Sequence, residues 1–412
     1  MKNTKFGQVL SNRKRKARLL ILLLCLILVL LSVFCSSFRS KMALADTENS
    51  TITDLEDNVN DQLKNLDFSG FDEILKQFSS GEKDIFSSDS FLDKVKAILS
   101  GQTSIDFRSI SSAIFSLFSN DILQILPVMC LIIGIGILSS IISNTGYSKD
   151  KSVADIVHFV CYGTIVMIVF ASVKNVITLS SNSLLSLKSQ MEISFPILLT
   201  LMTSVGSVVS VGVYQPTVAI LSGSMMTIFS NFVMPLFIFC LVFNVAGNLS
   251  DNVKLGKFSN LFLSIYKWTI GLIFTLFSAF LTIQGITAGS YDGLSIRTTK
   301  YAMKSYIPFV GSYLSDGLNL ILTSSILIKN SVGLAGLLLL VATVITPISK
   351  ILILKLALSL SASILEPICD KKIPNFLTNI SKCLSMLIAT ICVAGFAYLI
   401  TIGLVMCTGN II

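Results

Sequence analysis

The sequence predicts an all-α, polytopic helical membrane protein. It predicts a cleavable signal peptide, a short acidic helical extracytoplasmic segment and a candidate tandem duplication in the membrane region. Three observations carry this. Hydrophobic residues make up 53% of 412 positions and charged residues only 13%, with a mean hydropathy of +0.80. An ordinary soluble chain carries about twice that charge, and no soluble core of this length needs so much apolar surface, so the surplus faces lipid. The charges are also segregated: 9 Lys/Arg and no acid precede Asp46, 14 acids against 6 bases occupy 46–110, and 9 acids against 16 bases occupy 111–412. Long apolar runs then follow one another to the end of the chain. A cytosolic enzyme is excluded. So is a nucleic-acid reading of the net +8, because the Arg13–Lys16 cluster abuts an apolar run.

Residues 1–45 read as a signal peptide. Lys2, Lys5 and the bases of 13–18 form a positive n-region, Leu19–Phe34 is a 16-residue apolar stretch, and Ala43-Leu44-Ala45 offers an A-x-A cleavage site. The stretch is short for a full span, which favours cleavage over anchoring. Either way residue 1 stays inside and Asp46 emerges outside. Residues 46–120 are the acidic extracytoplasmic segment. Ile52, Leu55, Val59, Leu63 and Leu66 recur at helical steps, as do Phe71, Ile74, Leu75 and Phe78, then Phe91, Leu92, Val95 and Ile98. Two or three short amphipathic helices are expected, acting as a cap on the membrane portion or as a docking surface for another extracytoplasmic protein. Residues 105–118 read as an interfacial helix entering the bilayer.

The first two transmembrane helices fall in 121–191, as Ile122–Ile142 and Val153–Val173. A first membrane repeat, 192–290, and a second, 291–412, each contain a broken run, an overlong run and a clean run. The runs of the first are 193–213, 216–247 and 265–287. Those of the second are 307–328, 332–368 and 383–406. Pro196 aligns with Pro308 and Pro235 with Pro347 at an offset of 112; three residues further, Asp251 meets Glu366, Lys257 meets Lys372 and Lys267 meets Lys382. Pro235 and Pro347 each interrupt an overlong helix, where proline deletes a backbone hydrogen bond. Paired kinks of this kind line pathways in transporters with repeat symmetry, and membrane helices also tolerate proline for purely structural reasons. If every run spans, the inside loops hold ten bases and the outside six. If 193–213 and 307–328 re-enter, the count is again ten to six, and both arrangements put the acidic segment and the C-terminus outside.

Polar residues at membrane depth are the candidate pathway or gating positions: Pro235, Asp251, Gln284, Asp292, Arg297, Asp316, Pro347 and Glu366. Asp155 and His158 sit at i and i+3 and read as an interfacial pair or a proton relay. Asn231, Asn244 and Asn248 read as interhelical hydrogen-bond glue, and the small residues Ser204, Gly206, Ser207, Ser210, Gly212, Gly333 and Gly336 as sites of close helix approach. Arg297, Lys300 and Lys304 share one helical face, fitting an interfacial helix on anionic lipid or a gate. No GxxxxGK[ST], HExxH or GxSxG motif occurs, and no CxxC pair among nine cysteines. No catalytic, cofactor or metal site is expected, and any energy comes from a partner or a gradient.

The stretch QGITAGSYDGLSIRTTK (284–300), with IPFVG (307–311) and SILIKNSVGLAG (325–336), resembles the stage III sporulation protein AE family of endospore-forming bacteria. PILLTLMTSVGSVVS (196–210) and VMPLF (233–237) share in the likeness, which covers roughly 105–410. The resemblance implies a sporulation role, in the channel complex that connects the mother cell to the engulfed forespore. It implies a mother-cell membrane location and no nucleic-acid partner. The implied partners are a secretion-type ATPase, ring-forming membrane subunits, a forespore membrane protein and the lipid bilayer. It carries over no catalytic residue. An independent secondary transporter with a midplane site, or a pure assembly scaffold, is the alternative.

Overall fold

The computed structural model describes residues 49–101, 107–144, 151–249, 258–279, 298, 301, 311–369 and 371–408. No strand occurs among them. The chain divides at Asp57, and of its first unit only 49–57 is described, as the opening turns of a helix that continues into the second unit. The signal-peptide reading of 1–45 lies outside the described residues.

Four short helices open the described chain: α1 (Asn49–Lys64), α2 (Ser69–Lys76), α3 (Ser80–Phe86) and α4 (Phe91–Leu99). Each boundary has a local cause. Asp67 Oδ1 accepts the Ser69 N–H at 2.9 Å before α2, and hydrogen bonds from Ser69 hold this carboxyl below its usual pKa. Ser79 donates its N–H to Glu82 at 2.8 Å, the return half of a capping box on α3. Ser87 then ends α3 at φ 57°. The apolar faces meet in an aromatic core, with Phe71 stacked on Phe91 at 3.9 Å between centroids. Asp72 Oδ1 accepts the Phe91 N–H at 2.9 Å and ties α2 to α4.

Long helices follow: α5 (Phe107–Asn144), α6 (Lys151–Ser204), α7 (Val208–Ile228), a π-helical turn (Phe229–Val233), α8 (Met234–Leu249), α9 (Phe258–Ala279), α10 (Gly311–Leu365) and α11 (Lys372–Cys407). Five of them contain a stretch long and apolar enough to cross a membrane: α5, α6, α9, α10 and α11. The apolar runs were shorter than the helices that contain them. Residues 105–118 and 122–142 contribute to one helix from Phe107, and 307–328 joins 332–368 as one helix from Gly311. At ~1.5 Å per residue, the 55-residue α10 is about 82 Å long. The hydrocarbon core is about 30 Å thick, so α10 is more than twice the length of one perpendicular crossing.

Cross-helix contacts fix the directions. Asp121 meets Ser349, and Gly136 meets Leu365, so α5 and α10 are parallel. Gly333 packs on Met406 and Gly395 on Val344, so α11 is antiparallel to α10. A Cβ at Gly136 would stand 2.6 Å from Leu365 Cδ2; with Gly333 and Gly336, such glycines let backbones approach as expected. Phe239 stacks on Phe262 and Phe243 on Phe258, so α8 and α9 are antiparallel. Tyr162 meets Phe376 and Phe195 meets Tyr398, so α6 is parallel to α11. Asn244 joins Ser259 to Cys383 and Tyr266 meets Thr390, so α9 is parallel to α11 too. The hairpins α5–α6, α8–α9 and α10–α11 therefore point the same way.

Residues 193–213 form no crossing of their own. α6 ends in a Schellman turn, with Ser207 N–H bonding Met202 O at 3.0 Å and Gly206 N–H bonding Thr203 O at 2.9 Å. Gly206 sits at φ 83°, the left-handed conformation such a turn requires. The chain reverses there into α7. Large apolar side chains stand exposed along α5, the first half of α6, α8, α9 and the end of α10, including Leu123, Leu131, Phe159, Met167, Phe239, Trp268, Leu272, Leu356 and Leu360. On a protein of this composition that surface faces lipid.

The acidic helices lie along α10, α5 and α6. Gln62 Nε2 donates to Ser324 Oγ, and Ser325 Oγ donates to Gln62 Oε1, each at 2.9 Å. Ile85 packs with Ala113 and Ala342, and Gly70 sits against Ile193. Lys329, five residues beyond Ser324, reaches the Thr408 carbonyl. The acidic helices and the end of α11 thus meet the same stretch of α10.

Candidate functional site

Of the residues the sequence singled out, Asp251, Gln284, Asp292 and Arg297 lie outside the described residues. So does the side-chain environment of Asp155, Asn248 and Asp316, the last being on α10. Glu366 is exposed just past the end of α10. The two prolines occupy unlike settings. Pro235 follows the π-helical turn Phe229–Val233 at the start of α8 and is half-buried; Pro347 is buried inside an unbroken α10. Asn244 does act as glue: it donates to Ser259 Oγ at 2.9 Å and to Cys383 Sγ at 3.4 Å, joining α8, α9 and α11. Tyr266 on α9 shares a 2.8 Å hydrogen bond with Thr390 on α11.

The polar interior gathers on α10 around Pro347. Gln190 of α6 donates through Nε2 to Thr343 Oγ1 at 2.6 Å. One turn along α6, Ser194 Oγ shares a 2.6 Å hydrogen bond with Tyr398 OH of α11, and the Phe195 and Tyr398 rings meet edge to face. From α5, Asp121 accepts a 2.7 Å hydrogen bond from Ser349 Oγ. Gln190, Ser194, Thr343, Ser349, Asp121 and Tyr398 are all buried, and Lys329 is completely so. Four helices that each read as apolar are therefore held in register by polar pairs, one of which includes a carboxylate.

Hydropathy segmentation hides these residues. Asp121 sits immediately before the apolar run at Ile122, Lys329 lies between two runs that prove to be one helix, and Gln190 lies in the polar stretch bridging two apolar parts of α6. The available cue was that no Pro or Gly adjoins Asp121, Gln190 or Lys329, so nothing there forces the helix to stop. Among the described residues no group of three His, Cys, Asp or Glu side chains comes together to hold a metal.

Long apolar helices in repeated hairpins, an exposed apolar surface and a hydrogen-bonded polar interior define a polytopic helical membrane protein. Residues 90–409 match the family described as stage III sporulation protein AE, and the chain belongs to that family. A relative, the stage III sporulation protein AE of Bacillus subtilis (strain 168), is 22% identical over 316 residues, covering 76% of this chain and 79% of the relative. No solved structure matches. The chain's role is accordingly in sporulation.

Proposed function

We propose that this chain is a non-enzymatic integral membrane subunit of a channel-like, secretion-related apparatus connecting mother cell and forespore, required for late forespore gene expression. Family membership supports the sporulation half of this reading. The observation that carries the rest is the reach of the bundle. Helices of 54 and 55 residues are roughly 80 Å long, more than twice the hydrocarbon thickness, and α10 carries the acidic helices along its first half. A subunit built this way offers a rigid column outside the bilayer on which other proteins can assemble.

In this reading the chain performs no chemistry itself. A secretion-type ATPase supplies the energy, and ring-forming subunits and a forespore membrane protein complete the conduit. Residues 1–45 act as a cleaved signal peptide in the mother-cell membrane around the forespore, and the acidic helices and C-terminus are extracytoplasmic. Charge supports this orientation. The acidic helices and Thr408 meet the same stretch of α10, while the linkers from α5 to α6, α8 to α9 and α10 to α11 leave from the opposite ends of their helices. Those linkers and the residues beginning the next helix include Lys149, Lys151, Lys254, Lys257, Lys371 and Lys372 in sequence. That is the lysine bias of a cytoplasmic face.

The test is deletion of the gene in its own bacterium, with microscopy of sporulating cells and a reporter for late forespore transcription. Loss of reporter signal with normal vegetative growth is the expected result. Normal spores with an active reporter would overturn the reading and bring forward an independent transporter.

A further inference from the structure

We infer that Asp121, Ser349, Thr346 and Gln190, gathered around Pro347 of α10, form a binding site for one monovalent cation of the alkali-metal class. Asp121 is 7% exposed in a span and accepts one hydrogen bond, from Ser349 Oγ at 2.7 Å. A carboxylate has about four lone-pair positions and is costly to bury without a compensating charge. Lys350, the neighbouring base on α10, attracts this carboxylate through space but makes no direct ion pair that would fill its lone pairs. Ser349 has a single hydroxyl proton, yet two acceptors stand within reach: Asp121 Oδ2 and, at 2.9 Å, the Thr346 carbonyl. When the proton goes to one, the other loses its partner.

Two further oxygens are unsatisfied. Gln190 Oε1 and Thr346 Oγ1 are buried with no hydrogen-bond partner, although Gln190 is wholly buried and its Nε2 is engaged. Proline at 347 has no N–H, so the Thr343 carbonyl, four residues back, loses its usual helical donor. Helix geometry brings these groups to one side. Thr343, Thr346 and Ser349 advance by three residues, about 4.5 Å and about −60° at each step. Thr346 therefore stands between the residue that holds Gln190 and the residue that holds Asp121. The result is a run of surplus buried oxygen acceptors along α10 beside one buried carboxylate. Hard oxygen donors with a single carboxylate match a singly charged hard cation; a divalent ion calls for more carboxylate. The site is independent of whether the chain works as a channel subunit or as a scaffold.

The test uses the purified full-length chain in detergent and follows thermal unfolding by intrinsic fluorescence. Sodium or potassium chloride replaces choline chloride stepwise at constant ionic strength. A ligand that binds only the folded state raises the unfolding temperature by an amount that sets in near its Kd and then grows with the logarithm of its concentration. The expected result is such a rise with sodium or potassium and none with choline. Asp121→Asn should abolish it, and Thr346→Val, which removes one oxygen at nearly constant volume, should move the concentration at which the rise sets in at least tenfold upward. Identical wild-type curves in all three salts would overturn the proposal, as would a full shift retained in Asp121→Asn. If Asp121→Asn does not fold, an unchanged midpoint in Thr346→Val would overturn it alone.

Discussion

The Ser194–Tyr398 pair shows how single residues hold this protein together. In lipid the helices gain no hydrophobic driving force from associating, so packing and interhelical hydrogen bonds carry the specificity. Ser194 and Tyr398 are buried and 2.6 Å apart. Ser194→Ala and Tyr398→Phe each remove one partner. A double-mutant cycle, read from reversible denaturation in mixed micelles, is expected to give a coupling of about 0.6 kcal/mol, the typical value for such pairs in membranes. A coupling of zero would mean that the edge-to-face packing of Phe195 on Tyr398 does the holding instead. Gly206 is the other residue whose identity is dictated locally. At φ 83° a side chain is strained, so Gly206→Ala should cost about 1–2 kcal/mol and lower the unfolding temperature, whereas Gly163→Ala, in the helix with nothing within 4 Å of an added Cβ, should not.

At the scale of elements, the acidic helices are the part whose attachment can be dissected. Their own core is aromatic: Phe68, Phe71, Phe86 and Phe91 are buried among themselves. Their attachment to α10 combines the Ile85–Ala342 contact with the two Gln62 hydrogen bonds. Gln62→Ala leaves Ser324 and Ser325 without their side-chain partner. Amide exchange at residues 58–65 is expected to speed up several-fold, while exchange in α2–α4 changes little because that core is intact. Faster exchange throughout 58–99 would show instead that the cap has no stability apart from its dock on α10. The dock also explains why the amphipathic periodicity of 52–66 was visible in the sequence while its partner was not. An apolar face signals that something covers it; Ser324 and Ser325 become its partners only because α10 continues unbroken through them.

At the scale of the whole molecule, three hairpins with a common direction place both the acidic helices and the C-terminal end of α11 beside residues 324–329 of α10. In a cysteine-free background, single cysteines at Ser87 and at Lys371 test the resulting orientation in intact cells with a membrane-impermeant maleimide. Labelling at position 87 and protection at 371 until the membrane is permeabilised is the expected outcome. The reverse pattern would invert the proposed topology and detach the lysine-rich linkers from the cytoplasmic face.

Composition and charge order were enough to establish a helical membrane protein led by a basic segment, because these quantities depend on which residues are present and in what order. Helical periodicity was enough for the amphipathic faces of 52–99. Gly333, Gly336 and Asn244 do pack closely or bond between helices as their residue types suggested, but Gly212 has open space around it and Asn231 is exposed, so residue type alone did not decide which of these positions face a neighbour. The family was legible in the 284–336 block. The number of crossings was not, because hydropathy cuts a helix wherever a polar residue appears, and Asp121, Gln190 and Lys329 are polar residues inside continuous helices. Whether such a residue ends a span or is buried within it depends on what the neighbouring helix presents: Ser349 to Asp121, Thr343 to Gln190, the Thr408 carbonyl to Lys329. Those partners lie between 79 and 228 residues away in the chain, and only tertiary packing brings them together.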